Sequence, residues 1–129
     1  MRAFLKNYRQ SPRKVRLVAN MLRGRNAAEA ESQLDFLAKR AGGPLKKLLH
    51  SAVHAAGQSG IAKENLFIKE IRVDKGPTYK RMMPAAMGSA HRINKRTSRI
   101  TLLLGEQAVK SVKSPPKADQ PRAEKKKVK

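Results

Sequence analysis

Apolar residues recur at helical spacing three times before Gly60, after which the period shortens to two. Between Ser11-Pro12 and Gly24, the residues Val15, Val18, Ala19 and Leu22 fall on one face while Arg13, Lys14, Arg16 and Arg23 take others, predicting an amphipathic first helix. Ser11 is placed to cap free N–H groups with its hydroxyl, and Pro12 occupies a first-turn position where a missing donor costs nothing. Asn26 followed by Glu29 resembles a second cap, with Ala27, Ala30, Leu34 and Leu37 on one face of a helix to about Ala38. Gly42-Gly43-Pro44 breaks the chain, and Leu45, Leu48, Leu49, Ala52, Val53 and Ala56 form the clearest stripe, ending at Gly57 and Gly60.

Past Asn65 the alternation of a strand begins. Phe67, Ile71 and Val73 are expected on one face, with Leu66, Ile68, Glu70, Arg72 and Asp74 on the other. Ile100 to Leu104 is the next strand-like run, and Ala3-Phe4-Leu5 is a weak third. If the two strong strands pair antiparallel, twenty-six residues separate Asp74 from Thr101. A structureless loop of that length is improbable in a compact domain, so both strands are expected to continue outward as a two-stranded ribbon. Pairing Ile71 with Leu102 puts its apex between Ala86 and Met87. With roughly ten pairs per arm at about 3.3 Å each, the ribbon projects on the order of 30 Å. Gly76-Pro77 is read as the bulge or bend where it leaves the domain, in preference to a tight turn at Lys75-Gly76, because Pro77 would break the ladder of an immediate return strand. From Gln107 the chain is Lys, Pro, Ala, Ser and Glu with no apolar period, and reads as a disordered basic tail. The expected fold is α+β: three helices packed on a small antiparallel sheet, one domain over 1–104 with a protruding hairpin at about 75–99, and a tail over 105–129.

Charge sharpens this outline. The formal net charge is +21 over 129 residues, and it is unevenly placed. Residues 1–28 hold eight basic and no acidic groups, residues 29–74 are nearly neutral, and residues 75–105 hold seven basic and no acidic groups. Such confinement is the footprint of a polyanion-binding protein. The centre of the last stretch, Pro84-Ala85-Ala86-Met87-Gly88-Ser89-Ala90, carries no charge, which suits a tip entering a space too narrow for long side chains. An anionic membrane would need large apolar anchors or a lipidation signal, and neither is evident. The basic N-terminus is followed by no apolar h-region, so no signal peptide is expected. With no cysteine there is no disulfide framework or thiolate metal site.

Catalysis finds no foothold. His50 and His54 stand at i and i+4, but no Glu adjoins His50 and no third ligand is clear, so exposed or phosphate-contacting histidines are the better reading. The close carboxylate pairs, Glu29 with Glu31 and Glu70 with Asp74, sit among cations and are explained by surface ion pairing. Ser11, Ser51 and Ser59 lack the context of a nucleophile. Neither an enzyme nor a cofactor is expected. What remains is basic: Arg9, Arg13, Lys14 and Arg16 near the first helix, and Lys80, Arg81, Arg92, Lys95, Arg96 and Arg99 on the two limbs, where guanidinium grips phosphate bidentately and ammonium acts as a point charge. Tyr79 is more simply a packing residue than a base-stacking one. An architectural DNA binder with Pro-tipped basic arms is the alternative, though its dimer needs an apolar interface that three short helices hardly spare.

Two stretches identify a family. Ser11-Pro-Arg-Lys-Val-Arg-Leu-Val-Ala-Asn-Met-Leu-Arg-Gly24 resembles the first helix of the large-subunit ribosomal protein L twenty-two family, bacterial type. Asp74-Lys-Gly-Pro-Thr-Tyr-Lys-Arg-Met-Met-Pro84 with Arg92-Ile-Asn-Lys-Arg-Thr-Ser-Arg-Ile100 resembles its signature ribbon, and Leu48-Leu49-His50-Ser51-Ala52 extends the match. The resemblance implies a structural protein of the large subunit that acts in assembly, binds the subunit's RNA beside neighbouring ribosomal proteins, and threads its ribbon through RNA to the wall of the peptide exit tunnel. It implies a cytoplasmic ribosome, an organellar one remaining open, with no membrane and no homo-oligomer. The RNA-binding set so implied is Arg9, Arg13, Lys14, Arg16, Arg23, Arg25, Lys75, Lys80, Arg81, Arg92, Lys95, Arg96 and Arg99. The tip facing the tunnel and the nascent peptide is Met83, Pro84, Ala85, Ala86, Met87, Gly88, Ser89 and Ala90. Family members commonly carry Arg or Lys where this chain has Ala85, Met87 and Ser89, so the tip departs from the pattern while the limbs keep their cations.

Overall fold

A computed structural model describes residues 1–106 of the chain. The expected tail falls almost wholly outside them. The elements run β1 (Arg2–Tyr8), α1 (Pro12–Leu22), α2 (Ala27–Phe36), α3 (Gly42–Gln58), β2 (Leu66–Lys75), β3 (Tyr79–Pro84), β4 (Ala90–Lys95) and β5 (Ser98–Glu106), with a single 3₁₀ turn at Lys63–Asn65 and a tight turn at Ala86–Gly88. Three strands form an antiparallel sheet in the order β1-β5-β2, and β3 with β4 forms a separate two-stranded ribbon. The α+β architecture is the one expected, and the weak strand at Ala3 becomes the edge strand β1.

The helices cover one face of the sheet. Val15, Val18, Ala19 and Leu22 of α1 and Leu45, Leu48, Leu49, Ala52 and Ala56 of α3 are buried, joined by Ala27, Ala30 and Leu34 of α2. From the sheet come Ile71 and Val73 and, on the central strand, Ile100, Leu102 and Leu104. Burial of these small aliphatic side chains drives the collapse, at about 25 cal/mol per Å² of apolar surface removed from water. The helix starts differ in detail from expectation. Neither Ser11 nor Asn26 makes a side-chain cap bond, and the first turn of α1 is closed instead by the Ser11 carbonyl accepting from Lys14 and Val15 N–H at 3.0 and 3.2 Å. Helix α2 stops at Phe36, because Leu37 is already extended and turns its side chain toward the core.

The alternation expected along β2 needs correction. Leu66 and Ile68 are buried together with Ile71 and Val73, whereas Phe67 is only half-buried. The reason is a bulge: Ile68 pairs with Leu104 and Glu70 with Leu103, leaving Lys69 unpaired, so the inward face passes from even to odd positions. Beyond the bulge, Ile71 pairs with Leu102 as the spacing predicted. The last strand is longer than the apolar run from Ile100 to Leu104: β5 spans Ser98–Glu106.

Candidate nucleic-acid interface

The ribbon leaves the sheet at one asymmetric step. Lys75 still pairs with Ser98, and the next ladder pair is Tyr79 with Lys95, so Gly76, Pro77 and Thr78 on the outgoing limb oppose only Arg96 and Thr97 on the return. This is the bend that Gly76-Pro77 predicted. Gly76 N–H donates to the Thr97 carbonyl at 2.9 Å, and the Thr97 hydroxyl donates to the Pro77 carbonyl at 2.7 Å. Thr97 and Ser98 are fully buried, and the Ser98 hydroxyl reaches the Gln10 carbonyl at 2.6 Å, tying the ribbon's root to the segment before α1. The backbones approach so closely that a Cβ on Gly76 would fall against the Thr97 hydroxyl. Only glycine fits there without displacement.

The extra residue shifts the apex. Tyr79 to Pro84 pair in order with Lys95 to Ala90, which centres the turn on Met87 rather than between Ala86 and Met87. Met87 and Gly88 take left-handed backbone, at φ 55° and 68°. The Ala85 N–H donates to the Ser89 carbonyl at 2.9 Å, and the Ser89 hydroxyl donates to the Ala86 carbonyl at 2.7 Å, closing a small turn without a charged group. Met87 points fully into solvent, flanked by the exposed Met82 and Met83.

Register places the limb cations on both faces of the ribbon. Arg81 opposes Ile93 and Tyr79 opposes Lys95, so Arg81 and Lys95 share one face; Lys80 opposes Asn94 and Met82 opposes Arg92, so Lys80 and Arg92 share the other. No acidic residue lies between Lys75 and Gly105. A ribbon resting on an anionic surface would concentrate its charge on one side. This distribution fits a strand pair with anion on both sides.

At the root, several cations from distant parts of the chain converge. A cleft of about 560 Å³ is lined by Arg9, Gln10, Ser11, Lys14, Arg40, Asn94, Lys95 and Arg96. Five are cations and none is a carboxylate. The Arg9 guanidinium lies 5.2 Å from the centre of the half-exposed Tyr79 ring, so Tyr79 is held by a cation rather than packed in the core. Arg40, in the turn between α2 and α3, is a member that charge counting overlooked. It falls in the nearly neutral middle of the sequence, and is brought in where the Tyr8 hydroxyl donates to the Arg40 carbonyl at 3.1 Å. Burial pushes the Tyr8 phenol up from its ordinary pKa, with Arg40 opposing.

Other sequence candidates have local work. Arg16 donates from Nε and Nη2 to the Val73 carbonyl at 3.1 and 2.8 Å, and Arg23 donates to the Ile71 carbonyl at 3.3 Å. Both saturate the outer edge of β2, the edge on which Gly24 N–H also meets the Ile68 carbonyl at 3.0 Å. Arg25 turns back to the Met21 carbonyl at 2.8 Å. Arg13 and Lys75 are exposed, and Arg99 stands opposite Asp74 in the sheet, away from the cleft. The cluster thus gathers Arg9, Lys14, Lys95 and Arg96, and leaves Arg16, Arg23 and Arg25 outside it.

His50 is placed beside a carboxylate, and His54 is exposed. His50 Nε2 lies 2.8 Å from Glu31 Oε1, while Lys63 bonds the other oxygen of the same carboxylate. The Lys63 hydrogen bond, with charge from His50 and Lys46, holds the Glu31 carboxyl below its ordinary pKa. Among the described residues no group of three or more His, Cys, Asp or Glu is placed to hold a metal, and no helix is long and apolar enough to cross a membrane.

Comparison with known proteins finds relatives over most of the chain. The family model described as ribosomal protein L22p/L17e matches residues 3–105. Large ribosomal subunit protein uL22 of Deinococcus radiodurans is 45% identical over 109 residues, which is 84% of this chain and 81% of the relative. The proteins of the same name from Acetivibrio thermocellus and Rubrobacter xylanophilus are 44% and 51% identical, covering 83% and 81% of this chain and 86% and 84% of their own lengths.

Proposed function

The chain belongs to the ribosomal protein L22p/L17e family, a structural and non-enzymatic constituent of the large ribosomal subunit, and from that membership we propose how its geometry is used. The protein binds large-subunit ribosomal RNA with its ribbon threaded between RNA segments, anchored at the cleft of Arg9, Lys14, Arg40, Lys95 and Arg96. Lys80 and Arg92 neutralise phosphate on one side of the ribbon, Arg81 and Lys95 on the other. The tip from Met83 to Ala90 lines the peptide exit tunnel and meets the nascent peptide, and the protein contributes to subunit assembly in the cytoplasm beside neighbouring ribosomal proteins. It works as a single copy.

The observation that carries this reading is the two-sided, acid-free charge of a ribbon rooted in a five-cation cleft. Shape and phosphate contacts, rather than base edges, account for recognition by such a surface. An isolated two-stranded ribbon is marginal in water, so the RNA is also what holds it in place. The uncharged tip follows from the same logic: Ala, Gly and Ser minimise width where RNA closes in from both sides.

Reconstitution of large subunits with the Lys80→Ala, Arg81→Ala, Arg92→Ala variant tests it. Lower co-sedimentation with the subunit than the unaltered chain, with a shallower dependence on salt because fewer phosphates are neutralised, is the expected result. Equal recovery in the subunit fraction at every salt concentration would refute the anchoring role of the limbs. For the tip, a deletion across Ala85–Gly88 is expected to leave RNA binding intact and alter passage of nascent chains; unchanged passage would take the tip out of the tunnel.

A further inference from the structure

The helices leave the second face of the three-stranded sheet uncovered, and its composition is not that of a plain solvated surface. Register aligns Phe4, Thr101 and Arg72 in one row across β1, β5 and β2, and Arg2, Leu103 and Glu70 in the next. These six side chains line a shallow hollow of about 250 Å³. Phe4 is 57% exposed, an aromatic ring presented on the sheet surface with apolar Leu103 diagonal to it. Arg72 Nη2 lies 2.8 Å from Glu70 Oε1, and both side chains are half-exposed or more.

We propose that this open face is a second RNA-contact site, at which a single unstacked nucleobase lies on Phe4 between Arg2 and Arg72. The inference rests on the RNA-binding reading above and adds to it a base contact away from the ribbon and its cleft. Every base offers a flat π face, and an exposed aromatic on an antiparallel sheet is the usual platform for one. Arg2, two residues along β1 from Phe4, and Arg72, across β5 on β2, stand at opposite corners of the hollow, placed to meet the flanking phosphates. The exposed Glu70–Arg72 pair is weak enough to open for a phosphate. Glu70 is then free to accept from an exocyclic amine, which favours adenine or cytosine over uracil. The hollow is smaller than the pockets that enclose drug-sized ligands, but fits one flat ring resting on a surface. Phe4 also borders an apolar hollow of about 430 Å³ with Leu5, Pro44, Lys47 and Leu48, but on the open face its frame is Arg2, Glu70 and Arg72, which suits a nucleotide, and a protein occupant is an outcome of the crosslinking test below.

The chain has no tryptophan, so Phe4→Trp installs a single indole reporter at the site. Titration of the full chain with oligoadenylate is expected to quench that fluorescence, while inorganic polyphosphate, which offers charge without bases, leaves it unchanged. Phe4→Leu, which keeps an apolar side chain but removes the π face, is expected to weaken oligoadenylate binding about tenfold with no change toward polyphosphate. Equal quenching by both polyanions, or oligoadenylate affinity unaffected by Phe4→Leu, overturns the proposal. In assembled subunits a photoreactive phenylalanine at position 4 should crosslink to RNA; a crosslink to protein alone also overturns it. The Lys80→Ala, Arg81→Ala variant separates the two readings. If it loses affinity for large-subunit RNA while Phe4→Leu does not, the sheet platform fails and the ribbon stands. If it binds that RNA as tightly as the unaltered chain, the ribbon reading fails instead.

Discussion

Replacing Gly76 by alanine adds one methyl group at the point where the ribbon meets the sheet, and the structure allows its cost to be worked out. The new Cβ meets the Thr97 hydroxyl at closer than any ordinary contact and lies 3.2 and 3.3 Å from the Thr97 carbonyl carbon and Cβ. Thr97 is 1% exposed, so its side chain has no open direction in which to retreat. Relief requires the hydroxyl to leave the Pro77 carbonyl, a bond of 2.7 Å, stranding a buried polar group at about 1–3 kcal/mol. Against this, alanine restricts the unfolded chain and returns about 0.4–1 kcal/mol. The net expectation is a loss of about 1–2 kcal/mol, read as a lower urea midpoint by circular dichroism of the full chain with the slope unchanged. Thr97→Ala removes the obstructing hydroxyl, so the double variant should be little worse than Thr97→Ala alone. A Gly76→Ala midpoint equal to that of the unaltered chain, or strict additivity of the two changes, would refute the close-approach argument.

The bulge in β2 predicts that Ile68→Ala, at a fully buried site, costs about 2–5 kcal/mol and that Phe67→Ala costs clearly less; the reverse order in urea midpoints would restore uninterrupted alternation. Arg16→Ala strips two donors from the Val73 carbonyl at the sheet edge and is expected to cost about 1–2 kcal/mol in the same assay, whereas Lys80→Ala leaves the midpoint unchanged. Lys80→Ala should instead reduce the salt slope of RNA binding by about one, and an unchanged slope would remove that residue from the phosphate contacts. Glu31 has a folded pKa below its unfolded value, so its pairing with Lys63 and His50 contributes stability that is present above the unfolded carboxylate range and is lost as pH falls through the folded pKa. Glu31→Gln is therefore expected to flatten the acid limb of the stability–pH profile, and an identical limb in the variant would contradict the assignment.

Much of the fold could be read before any coordinates because its signals are local. The stripe from Leu45 to Ala56 admits only a helix buried on one side. The charge-free segment from Pro84 to Ala90, lying midway between two strands, fits a ribbon tip. Apolar period and turn chemistry act between neighbours a few residues apart, and burial rewards them wherever the segment is packed. The errors occurred where one residue changes the phase. Lys69 in β2 and the extra residue among Gly76, Pro77 and Thr78 each shift register by one; no side chain announces the first, and Gly76-Pro77 announces a bend but not the change of phase.

The candidate interface divides in the same way. The sequence established that a strongly basic, acid-free ribbon exists, that its tip is small and uncharged, and to which family its motifs belong. Which cations act together depended on the third dimension. Arg40 joins Arg9, Lys14, Lys95 and Arg96 through a turn bonded to Tyr8, while Arg16 and Arg23, identical in kind, are spent on the carbonyls of Val73 and Ile71. Phe4 and Arg72 share a row of the open face only because β5 pairs with both of their strands. Charge is a property of each residue, but a binding site is a set of distances, and those are set by packing between segments that the chain order keeps far apart.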